Sequence, residues 1–288
     1  SSAASDVYKR QVVDSLDIEG ADLYFMDALG AEYLSYIQTR FFDEGFDIKV
    51  QIARCELPSI TSTNKDFVQV FNIKGCKVIS NKELDELKHE GGVSYDYEST
   101  KIPIHLISEL QIIDNLINHL KSSLNKGTRA FIIADHGTSR LAVINETENK
   151  WEVSEKGQHS GRCCLMSDVD HKPDFATESN DFWCLANYDR FKGGRKALVE
   201  VHGGATLEEV TVPIIEVVKR DKSIHCEVRN NGPLLRGVKN PPVLKLFVEK
   251  DCQNVAVELD GIKYSCEGSN IPYVHSFILS GIKKAGTY

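Results

Sequence analysis

Between His105 and Ile133 the chain spells out a long helix followed by a strand. Apolar residues recur at helical spacing (Leu106, Leu110, Ile113, Leu116, Ile117, Leu120), and Asn125-Lys126-Gly127 ends the run. RAFII then reads as an almost wholly apolar strand. Strands of that kind are buried on both faces, as in a parallel sheet covered by helices. The same alternation appears earlier. ADLYFM, Ala21 to Met26, reads as a buried strand, AEYLSYIQTRFF puts Leu34, Ile37 and Phe41 at helical spacing, and IKVQIAR, Ile48 to Arg54, alternates as a strand. KALVEV and VTVPIIEVVKR follow as further strands. The pattern predicts an α/β domain over residues 12–220, with a mostly parallel sheet flanked by helices. Residues 75–102 are polar and glycine-marked and read as a loop or insertion.

Past Lys219 the texture changes. CEVRNN, VLKLFVEK, NVAVELDG, IKYSCEG and SFILSGI are short strands between turn residues, with no helical period. Residues 221–288 are expected to form a small, sandwich-like and incomplete all-β unit. SSAASDVYKRQ at the start resembles a translated sequencing adaptor, and KKAGTY at the end stops inside what reads as a strand. The first eleven residues are therefore set aside, and the chain is expected to be a fragment of a longer protein.

With 288 residues, 41% of them hydrophobic, the chain can bury a large core. No apolar run reaches membrane length and no signal peptide is visible. The net charge of -8 argues against a general nucleic-acid or membrane coat, though a local basic groove stays open. Eight cysteines without a C-x-x-C pair read as reduced thiols in a cytoplasmic protein rather than a thiolate zinc site.

In sheets of this kind ligands bind beyond the carboxyl ends of the strands. Asp27 follows LYFM; Asp135 and His136 follow FIIA; His202 follows LVEV and precedes Gly203-Gly204. Oxygen and imidazole donors on separate strand ends suit zinc or manganese. LPSITSTNK, beyond IKVQIAR, offers the hydroxyls of Ser59, Thr61 and Ser62. Each feature also has an ordinary reading. A strand-end aspartate caps a helix, a histidine packs, Ser62 or Thr63 caps the next segment, and His-Gly-Gly turns the chain.

Taken in order, these segments resemble the alkaline phosphatase superfamily, and most closely the PglZ domain of bacterial phage-exclusion (BREX) systems. PSITSTN is similar to the superfamily's nucleophile segment, with Thr63 in place of its second proline. DHGTSRL, GQHSGRCC and HGGATLEEVTVPIIEV resemble stretches of PglZ domains. The resemblance spans roughly residues 20–220. It implies two zinc ions, with manganese as an alternative. Asp27, Thr61, Asp135 and His136 would hold one and His202 would help hold the other. Thr61 would be the nucleophile, Asn64 would donate to a phosphate oxygen, and Arg140 or Arg162 could do the same. For the second metal the matching region is IPIHLISELQIID, where Glu109 could stand in for an aspartate beside His105 and Asp114; their ordinary reading is the surface of an amphipathic helix. The implied activity is a phosphodiesterase acting on a nucleotide or nucleic-acid phosphate, with other defence subunits as partners and no membrane. A degenerate scaffold that binds partner subunits is the alternative, and a phosphomutase a more distant third.

Overall fold

A computed structural model describes residues 8–90, 104–125, 127–145, 147–153, 161–193, 197, 199–220, 224–230, 234, 240–252, 254–266, 271 and 273–282. The chain divides into two compact units, Ser1–Asp221 and Lys222–Tyr288. In the first, the elements are α1 (Lys9–Asp14), β1 (Ala21–Met26), α2 (Leu34–Asp43), β2 (Phe46–Arg54), α3 (Thr61–Asn64), α4 (Phe67–Ile73), β3 (Val78–Asn81), α5 (Glu83–Glu90), α6 (Ile104–Ser123), β4 (Arg129–Ile133), α7 (Leu141–Ile144), β5 (Glu148–Glu152), β6 (Cys163–Leu165), β7 (Ala176–Ser179), β8 (Phe182–Leu185), β9 (Arg190–Lys192), α8 (Leu207–Val210) and β10 (Thr211–Lys219).

The central sheet runs β2-β10-β4-β1-β3. β3, β1 and β4 are parallel; β10 is antiparallel to both β4 and β2, so β2 points the same way as β4. The fold is mixed α/β, with one reversed strand in a mostly parallel sheet and several small antiparallel sheets beside it. β1 and β4 are apolar almost throughout because both faces are covered: Leu23, Tyr24, Met26, Ala130, Phe131, Ile132 and Ile133 are at most 1% exposed. α2 and α6 supply Ile37, Phe41, Ile113, Ile117 and Leu120 to the same core. No helix among the described residues is long and apolar enough to cross a membrane.

Three parts of this domain differ from the sequence reading. The stretch expected to be a loop holds β3 and α5, while residues 91–103 lie outside the described ones. Of KALVEV, residues 196 and 198 lie outside the described ones, and the described remainder belongs to no sheet strand. Val201 makes only an isolated bridge with Ser139, because β4 already has β1 on one side and β10 on the other. Lys9, set aside with the first eleven residues, is buried, and its Nζ donates to the carbonyls of Asn64 (2.6 Å) and Asp135 (3.0 Å). Between α7 and α8, β6-β8-β7 and the β5-β9 pair surround a small core of Cys164, Ala176, Trp183, Leu185 and Phe191.

The second unit holds β11 (Cys226–Val228), β12 (Val243–Val248), β13 (Ala256–Leu259), β14 (Ile262–Ser265) and β15 (Val274–Ile278). They form an antiparallel sheet β11-β12-β15 and a hairpin β13-β14 around Leu244, Tyr264, Phe277 and Leu279. KKAGTY, residues 283–288, lies outside the described residues.

Candidate metal centre

β1 and β4 are parallel neighbours, so the residues that follow them emerge side by side at one sheet edge. Asp27 and Asp135 do so. The Ala28 N–H donates to Asp135 Oδ1 at 3.2 Å, which ties the two strand ends together. His136 Nε2 lies 3.3 Å from Asp135 Oδ2, 3.7 Å from Asp27 Oδ1 and 3.2 Å from Thr61 Oγ1. Thr61 begins α3 and donates its hydroxyl hydrogen to Asp27 Oδ1 at 3.4 Å. Asp27, Asp135 and His136 are all buried, and their ligand atoms lie within 4.8 Å of one another.

A second cluster abuts the first. α5 places Asp85 and His89 one turn apart, with Asp85 Oδ1 3.3 Å from His89 Nε2. His202 brings its Nε2 to 2.8 Å from His89 Nε2 and 3.9 Å from Asp85 Oδ1. The rings of His136 and His202 stack at 4.0 Å, and ligand atoms of Asp85, His136 and His202 lie within 4.8 Å of one another, so His136 is common to both clusters. Asp85 and His89 escaped the sequence reading because α5 is short and polar, with Leu84 its only fully buried apolar residue. The signal was the D-x-x-x-H spacing in ELDELKHE.

Two features fit divalent cations here. His136 Nδ1 bonds to the Gly137 carbonyl at 3.0 Å, and His202 Nδ1 to the Ser59 carbonyl at 2.9 Å. A carbonyl only accepts, so each Nδ1 carries the proton and each Nε2 is left as the ring's acceptor, the arrangement found behind metal-bound histidines. The first cluster also holds a buried carboxylate oxygen without a hydrogen-bond partner, Asp135 Oδ2, which faces the acceptor Nε2 of His136 at 3.3 Å. Such an atom is costly unless a cation answers it. Asp27 registers the same crowding. Burial first, then the charges of Asp135 and Asp85, push its carboxyl up to about 8.

Residues 79–217 match the family described as the BREX system PglZ alkaline phosphatase-like domain. Over that stretch the chain is similar to a PglZ domain. The matched stretch contains Asp85, His89, Asp135, His136 and His202, while Asp27 and Thr61 come from the residues before it. No curated protein matches the chain significantly.

Several residues expected at the site are engaged elsewhere in the fold. Asn64 is buried. Its Nδ2 donates to the carbonyls of Glu56, Pro58 and Ile60, and its Oδ1 accepts from the Glu56 N–H at 2.7 Å, so it closes the loop that carries Thr61. Ser59 is fully buried. Its Oγ donates to Gly204 O at 2.7 Å and accepts from Gly203 N at 2.9 Å, pinning that loop to the one that carries His202. Glu109 is in neither cluster; it accepts from the Tyr33 hydroxyl at 2.8 Å. Asp114 accepts from Tyr36 and Arg40. α6 therefore uses Glu109 and Asp114 to pack, and α5 supplies the second set of donors. Arg140 donates to the Val199 carbonyl. In the Gly-Arg stretch, residues 157–160 lie outside the described ones.

Arg162 is 0% exposed. It pairs with Glu209, also 0% exposed, at 2.9 Å and donates to the carbonyls of Leu185, Asn187 and Asp189. Glu209 accepts in turn from the N–H groups of Gly204 and Thr206, which fixes the loop after His202. A Cβ on Gly204 would meet Glu209 Oε2 at 2.5 Å and Arg162 at 2.6 Å; one on Gly137 would meet the Glu208 carbonyl at 2.1 Å. Close packing, rather than approach to a ligand, requires both glycines. Arg162→Met strands the Glu209 carboxylate in the core and is expected to cost about 3–5 kcal/mol, read as a lower denaturant midpoint. A variant as stable as the parent contradicts that account.

Proposed function

We propose that this PglZ domain is a metal-dependent phosphoesterase whose substrate is a phosphodiester of a nucleotide or nucleic acid, working with other subunits of a phage-defence system. One observation carries the reading: a hydroxyl, Thr61 Oγ1, lies within hydrogen-bond reach of both Asp27 and His136, beside a second set of donors. Asp27, Asp135 and His136 would hold one divalent cation with Thr61, and Asp85, His89 and His202 the other. Zinc fits the imidazole and carboxylate donors, and manganese is the alternative. Bound there, the pair of cations would lower the pKa of the hydroxyl and stabilise the attacking and leaving oxygens at phosphorus. Thr61 Oγ would form the new bond to phosphorus as the leaving oxygen departs. Asn64 and Ser59 would hold the nucleophile loop in place, and the Ser59 carbonyl would keep the His202 ring turned toward its cluster.

The scaffold alternative drew its support from an incomplete second metal set. Asp85 and His89 would complete that set, which supports the esterase reading over the scaffold. The test is a metal count by mass spectrometry on the purified chain, together with hydrolysis of bis-p-nitrophenyl phosphate in zinc or manganese. Two metal equivalents and chelator-sensitive turnover are expected. A chain that takes up no metal and hydrolyses nothing would restore the scaffold.

A further inference from the structure

Lys88 stands on α5 between Asp85 and His89, yet it is 1% exposed. Its ammonium contacts four residues on three other segments. It donates to the Ala28 carbonyl at 3.2 Å, Thr138 Oγ1 at 2.8 Å and Glu32 Oε1 at 3.3 Å, and lies 3.2 Å from Glu200 Oε2. Ala28 directly follows Asp27, Thr138 comes two residues after His136, and Glu200 two residues before His202. The main chain repeats the last link, since the Glu200 N–H donates to the Lys88 carbonyl at 3.3 Å. Thr138 donates to Glu200, and the ammonium lies 5.0 Å from the centre of the Tyr33 ring. Ala28 sits at φ 61, a region that only a well-held non-glycine residue occupies. Burial works against the charged lysine, but Glu200, Glu32 and Glu109 more than offset it and hold its pKa above the ordinary value.

A buried cation needs neighbouring carboxylates. It has no need to reach the segments that follow Asp27 and His136 and precede His202. The geometry points to Lys88 as the positioning residue that seats Asp85 and His89 of α5 against Asp27, His136 and His202. This rests on the metal-dependent reading above. α5 has little apolar surface of its own to fix its angle on the sheet, and a misplaced α5 would separate Asp85 and His89 from His202. The first cluster, built on β1, β4 and α3, does not depend on α5.

The test is a cobalt titration, followed by visible absorption and by metal counting after desalting, on the full chain. The variants are Lys88→Arg and the charge-balanced Lys88→Met/Glu200→Gln, with the fold checked by near-ultraviolet circular dichroism of the metal-free proteins. The parent should bind two equivalents. Both variants should retain the first and bind the second about 10- to 100-fold more weakly, the usual effect of losing a group that orients metal ligands. Lys88→Arg keeps the charge but not the compact head, so it tests position apart from charge balance if the double variant does not fold. Two equivalents at parental affinity in either folded variant would reduce Lys88 to a buried counter-charge and overturn the proposal. A parent that binds no cobalt would instead overturn the metal-dependent reading, and the positioning role with it.

Discussion

Replacing Thr61 by alanine should remove turnover by several orders of magnitude, on the order of ten-thousand-fold or more, as loss of a covalent nucleophile does. Three hydroxyls compete for that role, and the structure separates them. Ser59 Oγ is fully buried and spent on Gly203 and Gly204. Ser62 is exposed. Thr61 Oγ1 alone of the three meets the first cluster, at 3.2 Å from His136 and 3.4 Å from Asp27. The substitution removes one hydroxyl and one methyl from a half-buried position, so the unfolding midpoint should stay near the parent's. Thr61→Ser should keep part of the activity, and Ser62→Ala nearly all of it. Ser59→Ala should behave differently, losing stability and metal affinity together, because it releases the loop that carries His202. The readout is initial rate on bis-p-nitrophenyl phosphate with zinc or manganese. Full activity in Thr61→Ala, or equal losses across the Thr61, Ser59 and Ser62 variants, would remove Thr61 from the mechanism.

Asp27→Asn should move two measurements in opposite directions. With metal present, the loss of an anionic ligand should lower affinity and turnover. Without metal, the protein should become more stable at neutral pH, because the fold no longer has to take up the proton that the unfolded carboxylate has released. The sign follows from the direction of the shift. The folded carboxyl is raised from an ordinary value of 3.8 to about 8 by burial and then by Asp135 and Asp85, so the fold favours its protonated form. Its contribution is fully present below 3.8 and is lost as pH rises through about 8. Metal-free parent should therefore melt at progressively lower temperature across that window, and Asp27→Asn should flatten the decline. Bound metal should reverse the ranking, since a ligand at a hundred times its Kd stabilises by about 2.7 kcal/mol. Scanning calorimetry with and without chelator reads both effects. A metal-induced rise in Asp27→Asn equal to the parent's would show that Asp27 is not a ligand.

Much of the architecture is written in local pattern. The strands β1, β2, β4 and β10 and the helix α6 can be read along the chain because burial imposes a period on neighbouring residues, and that period survives in the sequence. Asp27, Asp135 and His136 stand out for the same reason. Each is a polar residue placed just after an apolar strand, and a parallel sheet brings such ends to one edge. The family resemblance could also be read from DHG and HGGATLEE, and the match over residues 79–217 agrees with it.

Other features depended on which backbone groups meet in space. Asp85 and His89 sit on a helix too short and polar to show a period, and only the fold brings them to His202. Asn64 and Arg162 carry the side chains a phosphate site would want. Their partners are instead carbonyls of loops that tertiary packing brings close: Glu56, Pro58 and Ile60 for Asn64, and Leu185, Asn187 and Asp189 for Arg162. KALVEV has the composition of a strand but finds both sides of β4 already paired. The sequence alone sets the periodic elements and the polar residues that follow them, because those depend on neighbours along the chain. Which buried donor meets which acceptor depends on residues as far apart as Ser59 and His202, and only the folded chain decides that.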